Sequence, residues 1–246
     1  MILHIPYMKK VLKMNKLEQI IFKDLIKNNF TLKKARALTG GGITSKNKKM
    51  PFYNYDLSAW DCKKGSQLRK VAGSVCSDCY AMKGNYLQYK NASVGASHQY
   101  HLKSLGNGFD WVLGMAYQII KTKTKYFRFH ASGDLQSVDH AKQIISLAKL
   151  TPSCKYWIPT RETKILKELK EQNISIPKNC VFRVSAPLID GFLNSKIFKN
   201  TSAVITNESK ARKTDKNCPS LDQGGQCLDC RNCWDNRIKN INYLIH

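Results

Sequence analysis

The stretch "KYFRFHASGDLQSVDHAKQIISLAKL", residues 125–150, changes the character of the chain. It opens as a short strand, "KYFRF", and runs into a turn of small residues at Ala131, Ser132 and Gly133. Ser137 then stands where a helix N-cap belongs, and Val138, Ala141, Ile144, Ile145 and Ala148 fall on one helical face. The pattern repeats downstream. "KYWIPTRE" (155–162) reads as a strand, "TKILKELKEQ" (163–172) as a helix, "NCVFRVSAP" (179–187) as a strand and "SAVIT" (202–206) as one more. Strands alternating with helices through short connections predict right-handed parallel βαβ units. No glycine-rich dinucleotide fingerprint follows any strand. The expected fold is therefore α/β, a full or partial parallel (β/α) barrel-like domain, with an open sheet as the alternative.

In parallel α/β folds the chemistry gathers beyond the carboxyl ends of the strands. Here those ends read His130-Ala-Ser132-Gly133-Asp134, Thr160-Arg161-Glu162 and Ser185-Ala-Pro187. His130 and Asp134 suit acid–base or ligand roles, and Arg161 suits a clamp on a carboxylate or phosphate. Ser132, Thr160 and Ser185 also suit helix caps, and Arg161 a surface position. Three successive strands that all end in polar or ionisable residues favour a shared cleft.

Upstream, "NKLEQIIFKDLIKNN" (15–29) places Leu17, Ile20, Ile21, Leu25 and Ile26 at helical spacing, and "FDWVLGMAYQIIK" (109–121) is a second apolar helix. Between them, "LTGGGITSKNKKMPFYN" reads as a linker, and its glycines are a weak phosphate-loop signal without a flanking strand and helix. The N-terminal "MILHIPYMKKVLKMNK" lacks the continuous apolar core of a signal peptide, and no run approaches a membrane span. A cytoplasmic, non-membrane protein is expected. Oligomeric state does not follow.

The formal charge is +24, from 41 Lys+Arg against 17 Asp+Glu. Such an excess is the electrostatic footprint of a protein that meets a polyanion, and it predicts a nucleic-acid or nucleotide partner. The 33 lysines against 8 arginines also match what an AT-rich coding genome produces, with the cations scattered over a solvated surface.

Nine cysteines fall at 62, 76, 79, 154, 180, 218, 227, 230 and 233. Without a secretory signal, tight CxxC spacing points to metal rather than to disulfides. Cys154 and Cys180 stand alone and read as small buried hydrophobes. "CPSLDQGGQCLDCRNC" offers Cys218, Cys227, Cys230 and Cys233 as a complete tetrathiolate set, suited to an iron–sulfur cluster or to zinc. Cys62, Cys76 and Cys79 form an incomplete trio that would leave one coordination position open. Alternatively, Cys76 and Cys79 join Cys230 and Cys233 in one zinc site. The expected organisation is an N-terminal helix and linker (1–49), a barrel-like domain carrying the trio (50–210) and a cysteine-rich metal-binding segment (211–246). Trp60, Tyr80, Tyr86 and Tyr89 suit base stacking, though core packing is the commoner use. His98 and His101 suit a polar helix face better than a metal site, and Trp234 suits a shield over the quartet.

Five blocks in order, "LSAWDCKKGSQLRKVAGSVCSDCYAMKGNY", "FRFHASGDLQSVDH", "YWIPTRE", "FRVSAP" and "GGQCLDCRNCWDNR", resemble the phage gene product 88 family from about residue 50 to the C-terminus. More distantly the chain resembles the phage gene product 37/68-like proteins, through Cys76–Ala81, Gly133-Asp134, Thr160-Arg161 and Val184-Ser185. Those relatives in turn resemble radical S-adenosylmethionine (SAM) enzymes. That resemblance implies a four-iron cluster (4Fe-4S) on Cys62, Cys76 and Cys79 and SAM on its open iron. Ser132, Gly133, Asp134, Thr160, Arg161 and Ser185 would line the cofactor and substrate cleft. The spacing departs from it, being Cx13CxxC where radical-SAM enzymes carry CxxxCxxC, and Tyr80 follows the last cysteine instead of preceding it. The implied function is a phage-encoded iron–sulfur, radical-SAM-like enzyme, working in the cytoplasm of an infected or lysogenic host. The alternatives are a zinc-stabilised base-exchange or base-modifying enzyme, with Asp134 as nucleophile or base, and a non-enzymatic zinc-containing nucleic-acid-binding protein.

Overall fold

The computed structural model describes residues 16–44, 49–194 and 196–245. The N-terminal "MILHIPYMKKVLKMN" lies outside them. Seven strands form one sheet: β1 (Tyr53–Tyr55), β2 (Tyr126–Phe129), β3 (Lys155–Thr160), β4 (Cys180–Ser185), β5 (Thr201–Ile205), β6 (Lys216–Asn217) and β7 (Asn240–Leu244). Their order is β1-β2-β3-β4-β5-β7-β6, and every described pair is parallel. Five successive strands side by side in one direction are what single-handed βαβ winding produces. The result is a mostly parallel α/β sheet consistent with a barrel-like fold.

The helices explain which face is filled. Strand β2 alternates, so that Phe127 and Phe129 enter the main core while Tyr126 and Arg128 take the other face. Helix α4 (Phe109–Thr122) and α5 (Val138–Leu150) bring Trp111, Met115, Ile119, Ile144 and Ile145 onto Phe127, Phe129, Tyr156 and Ile158. Ser137 caps α5, accepting a 3.0 Å bond from the His140 N–H. Cys154 and Cys180 are buried as small apolar residues. At the N-terminal end, α1 (Lys16–Lys27) buries Phe22 and Leu25, and Leu17, Ile20 and Ile26 remain exposed. The expected apolar stripe is rotated because Phe22 stacks on Tyr117, centroids 5.3 Å apart. Helix α2 (Leu32–Leu38) completes this smaller cluster.

The opposite face of the sheet is covered by the chain's own C-terminal part. Trp234 packs edge-on against Phe52, Tyr126 and Trp157 and donates its indole N–H to the Phe127 carbonyl at 2.8 Å. Cys227 and Cys233 pack beside this aromatic cluster. Strand β7 inserts between β5 and β6, so the cysteine-rich segment is woven into the sheet rather than folded around an ion. Arg183, fully buried on this face, donates to the carbonyls of Thr201, Ile238 and Asp235 at 3.0, 3.2 and 3.2 Å. It pins the segment in place.

Candidate functional site

A cavity of about 120 Å³ opens at the carboxyl ends of the first strands. Its lid is the segment from Ala59 to Met82, which holds α3 (Lys63–Leu68) and all three cysteines of the trio. Bonds tie the end of β1 and that segment to the ends of β2, β3 and β4. Leu57, just past β1, donates its N–H to Ser132 C=O at 3.0 Å. Lys63 Nζ reaches Gln136 C=O at 2.7 Å. The Lys64 N–H donates to Glu162 Oε1 at 2.8 Å, and the Val75 N–H to Pro187 C=O at 3.0 Å.

The turn after β2 is built for close approach. Gly133 has φ +82°, and a Cβ there would sit 2.7 Å from Leu57 Cβ and 2.8 Å from its carbonyl oxygen. Only glycine fits. His130 holds φ +63° as a non-glycine residue, a strained conformation that persists where surroundings over-determine it. Both its ring nitrogens are buried without a hydrogen-bond partner, as is the hydroxyl of Ser132. Burial, and then the neighbouring His140, hold the His130 imidazole neutral well below its ordinary pKa of 6.5.

Two buried carboxylates tie the floor together. Asp134 accepts the N–H groups of Leu135 and Arg161 at 2.7 and 2.8 Å, clasping the end of β2 to the end of β3. Burial raises its pKa to about 6 against the pull of Thr160 and those N–H donors. Asp56 accepts from Ala131 N–H at 2.6 Å and Ser132 N–H at 3.4 Å, and burial raises it likewise to about 6 despite nearby Arg128. Glu162 N–H is capped by Thr160 Oγ1 at 3.0 Å, and the Ser185 and Ser202 hydroxyls bond each other at 3.0 Å.

Of the residues read from the sequence, the structure brings His130, Ser132, Gly133, Asp134, Arg161, Cys62, Cys76 and Cys79 to this one cavity. It leaves Thr160 and Ser185 off the lining, and the cysteines of 218–233 lie with the aromatic cluster. Sequence reasoning missed Arg69 and Arg128, which line the cavity with Arg161. Arg128 was legible as a lone cation inside the apolar run "YFRF", on the face turned away from the helices. None of the three guanidinium groups forms a salt bridge among the described residues. Arg69 instead donates to Ser66 Oγ and Met82 Sδ, and Arg128 to Met50 Sδ.

The metal expectations need correction. Among the described residues no group of three or more His, Cys, Asp or Glu side chains could hold a metal ion. Cys62, Cys76 and Cys79 share a cavity without converging on one point, and Cys218, Cys227, Cys230 and Cys233 do not form a tetrathiolate. Burial also acts on two of these thiols. Burial, with Asp134 beside it, pushes Cys62 up to about 12, and burial pushes Cys233 to about 12 while its sulfur pairs with Tyr243 Oη at 3.2 Å. Cys218 Sγ donates to Ser220 Oγ at 3.4 Å. The iron–sulfur cluster, the zinc site and the SAM cofactor that depended on the cluster fall with this, and so does the radical-SAM enzyme. The zinc-based alternatives fall too. Trp234 shields no metal; it is the centre of an aromatic core. His98 and His101 are both buried, and His101 Nδ1 lies 2.9 Å from the Asp56 carbonyl.

Among the described residues no helix is long and apolar enough to cross a membrane. No curated protein and no solved structure matches the chain, and nothing relates it to radical-SAM enzymes. The family model described as Gene product 88 matches residues 23–236, most of the chain's length, starting well before the blocks that carry the resemblance in the sequence. By that match the chain belongs to the phage gene product 88 family.

Proposed function

We propose that this protein binds the phosphates of a nucleic acid or nucleotide in the cavity at the carboxyl ends of β1–β3. One observation carries the reading: three of the chain's eight arginines line this one cavity, unpaired with carboxylates, against the single carboxylate of Asp134. Guanidinium groups are the planar donors best matched to phosphate oxygens, and three of them with only Asp134 in the wall and Asp56 near Arg128 keep a positive excess that an anion would balance. The net charge of +24 supplies long-range attraction toward such a partner. In this reading Arg69, Arg128 and Arg161 hold the anion. His130 and Ser132 offer neutral hydrogen-bonding groups, and Asp134 positions the Arg161 backbone. Gly133 permits the turn.

The test is fluorescence anisotropy of a labelled oligonucleotide over a salt series, with the wild-type chain and the Arg69→Gln and Arg161→Gln variants. Each neutralised contact is expected to lower the slope of log K against log salt by about 1 and to weaken binding at fixed salt. Variants that bind with wild-type affinity and slope would place the phosphates elsewhere. A wild-type chain that binds no polyanion at low salt would end the proposal.

A further inference from the structure

A second cavity, of about 300 Å³, adjoins the first and shares Ala59, Ala81 and Ser132 with it. Its walls are of a different kind: Trp60, Tyr86, His98 and Val94, with Lys90 and Asn91 at the edge. Trp60 stands apart from the other tryptophans. Trp111, Trp157 and Trp234 are buried, whereas Trp60 is 38 % exposed. A tryptophan ring left partly in water beside a concave surface needs a reason, because the other three tryptophans are buried. The cations around it are equally placed. Lys90 Nζ lies 3.8 Å from the Trp60 ring centroid and the Arg69 guanidinium carbon 5.9 Å from it.

Tyr80 adds a second open ring between the cavities. It is 57 % exposed, yet its hydroxyl is anchored to the Ala131 carbonyl on the floor of the arginine cavity. Its ring meets Tyr86 at 6.1 Å, and Tyr86 in turn meets His98 at 6.2 Å. A rigidly tethered aromatic with its face in solvent is a stacking surface made at little conformational cost. Ser132 sits where the two cavities meet, its buried hydroxyl without a partner in the protein.

We infer that the second cavity is a nucleobase pocket, and that the ligand is single-stranded nucleic acid whose bases stack on Trp60 and Tyr80 while its backbone crosses Arg69 and Arg161. This deepens the phosphate-binding reading and rests on it. Duplex hides its base faces, so a site of this chemistry discriminates between the two forms. A cavity of about 300 Å³ lies at the lower end of the range for small-molecule sites and admits a flat ring system.

The experiment measures anisotropy of a labelled 12-nucleotide dT strand and of a matched duplex, with tripolyphosphate as a phosphate-only competitor. The full chain is compared with its Trp60→Leu, Trp60→Phe and Tyr80→Leu variants. The expected result is preference for the single strand and about ten-fold weaker binding by Trp60→Leu. The salt slope and the tripolyphosphate affinity stay unchanged, and Trp60→Phe recovers most of the loss. Tryptophan emission of the wild type is quenched on binding, a signal that reports Trp60 because the other three are buried. Should Trp60→Leu fail to fold by circular dichroism, Tyr80→Leu and the quenching carry the same decision. Single-strand affinity that survives both leucine variants, or equal affinity for duplex, overturns the base pocket. Loss of binding in Arg161→Gln alone would then leave phosphate recognition standing. No binding of either oligonucleotide by the wild type overturns both.

Discussion

Two groups of cysteines with the same CxxC spacing sit in unlike surroundings. Cys62, Cys76 and Cys79 lie in a lid tied to the ends of β2, β3 and β4, lining a cavity with three guanidinium groups that make no salt bridge among the described residues. Cys218, Cys227, Cys230 and Cys233 lie in turns that cover the opposite sheet face, two of them against Trp234 and its aromatic neighbours. CxxC is first a statement about local chain geometry: it puts two small, adaptable side chains on one side of a tight turn. Whether that turn serves recognition or packing depends on what the distant parts of the chain place opposite it. Arginines oppose the first group and aromatic rings the second, so perturbing one should change binding and perturbing the other should change stability.

The largest effect is expected on the packing side. Trp234→Ala removes a ring in contact with Phe52, Tyr126 and Trp157 and takes the indole donor away from the Phe127 carbonyl, for a loss of about 3–5 kcal/mol in urea unfolding. Arg161→Gln in the cavity should leave the same midpoint nearly unmoved, since its side chain makes no salt bridge among the described residues. Equal destabilisation by the two variants would break the division. Arg183→Met comes next. Three carbonyls, that of Thr201 buried and those of Ile238 and Asp235 partly so, lose their shared donor, and a loss of about 3 kcal/mol is expected, with trypsin cleaving first in the C-terminal segment that Arg183 anchors.

Most of the architecture was legible because it is local. The strand–turn–helix units from residue 125 to 172 follow from aromatic strands, small-residue turns and an N-cap serine whose bond is present as expected. The cleft at the strand ends was legible for the same reason, since parallel winding brings His130, Asp134 and Arg161 to one rim. What was not legible depends on long-range placement. Arg69 and Arg128 lie 59 residues apart in sequence and line the same wall. The C-terminal cysteines looked like a ligand set because four thiols in 16 residues are dense, yet the sheet draws Cys233 toward Tyr243 and Cys227 toward Trp234. Trp60 and Tyr80 were weighed toward the core by the ordinary behaviour of aromatics, and both are exposed.

Acid should act on the cavity side of the molecule, where the buried aspartates and histidines lie. Asp56 and Asp134 have folded pKa values of about 6 against an ordinary 3.8, so their contribution falls as pH rises from 4 to 6. His98 at about 4 and His140 at about 3, with His101 and His130 also lowered from 6.5, take up protons chiefly on unfolding. Their contribution falls as pH drops below 6.5. Four histidines oppose two aspartates, so the unfolded chain is expected to bind more protons near pH 5 and stability to decline as the pH falls below 6.5. Urea midpoints at pH 7, 6 and 5 check this. A midpoint that rises toward pH 5 would mean the two aspartates dominate, and the cavity floor would then be the acid-sensitive element.

The smallest effect expected is also the sharpest for the cysteines themselves. Cys230 is half-buried, and its backbone N–H, which survives substitution, makes the 2.8 Å turn bond to the Cys227 carbonyl. Cys230→Ala should therefore shift stability by no more than about 0.5 kcal/mol. Cys62→Ala should behave likewise, since its loss trims a neutral thiol from a cavity wall. Anaerobically purified protein, assayed for iron, sulfide and zinc before and after chelation, supplies the second readout. If a metal were a folding partner, its ligands would contribute many kcal/mol together, and chelation or Cys230→Ala would lower the melting temperature steeply. A steep fall with stoichiometric metal loss would mean that the four C-terminal thiols converge in solution. The packing account of that region would then give way to a metal-centred one. An unchanged melting temperature keeps the two cysteine groups as the fold places them, one beside an arginine-lined cavity and the other around a tryptophan.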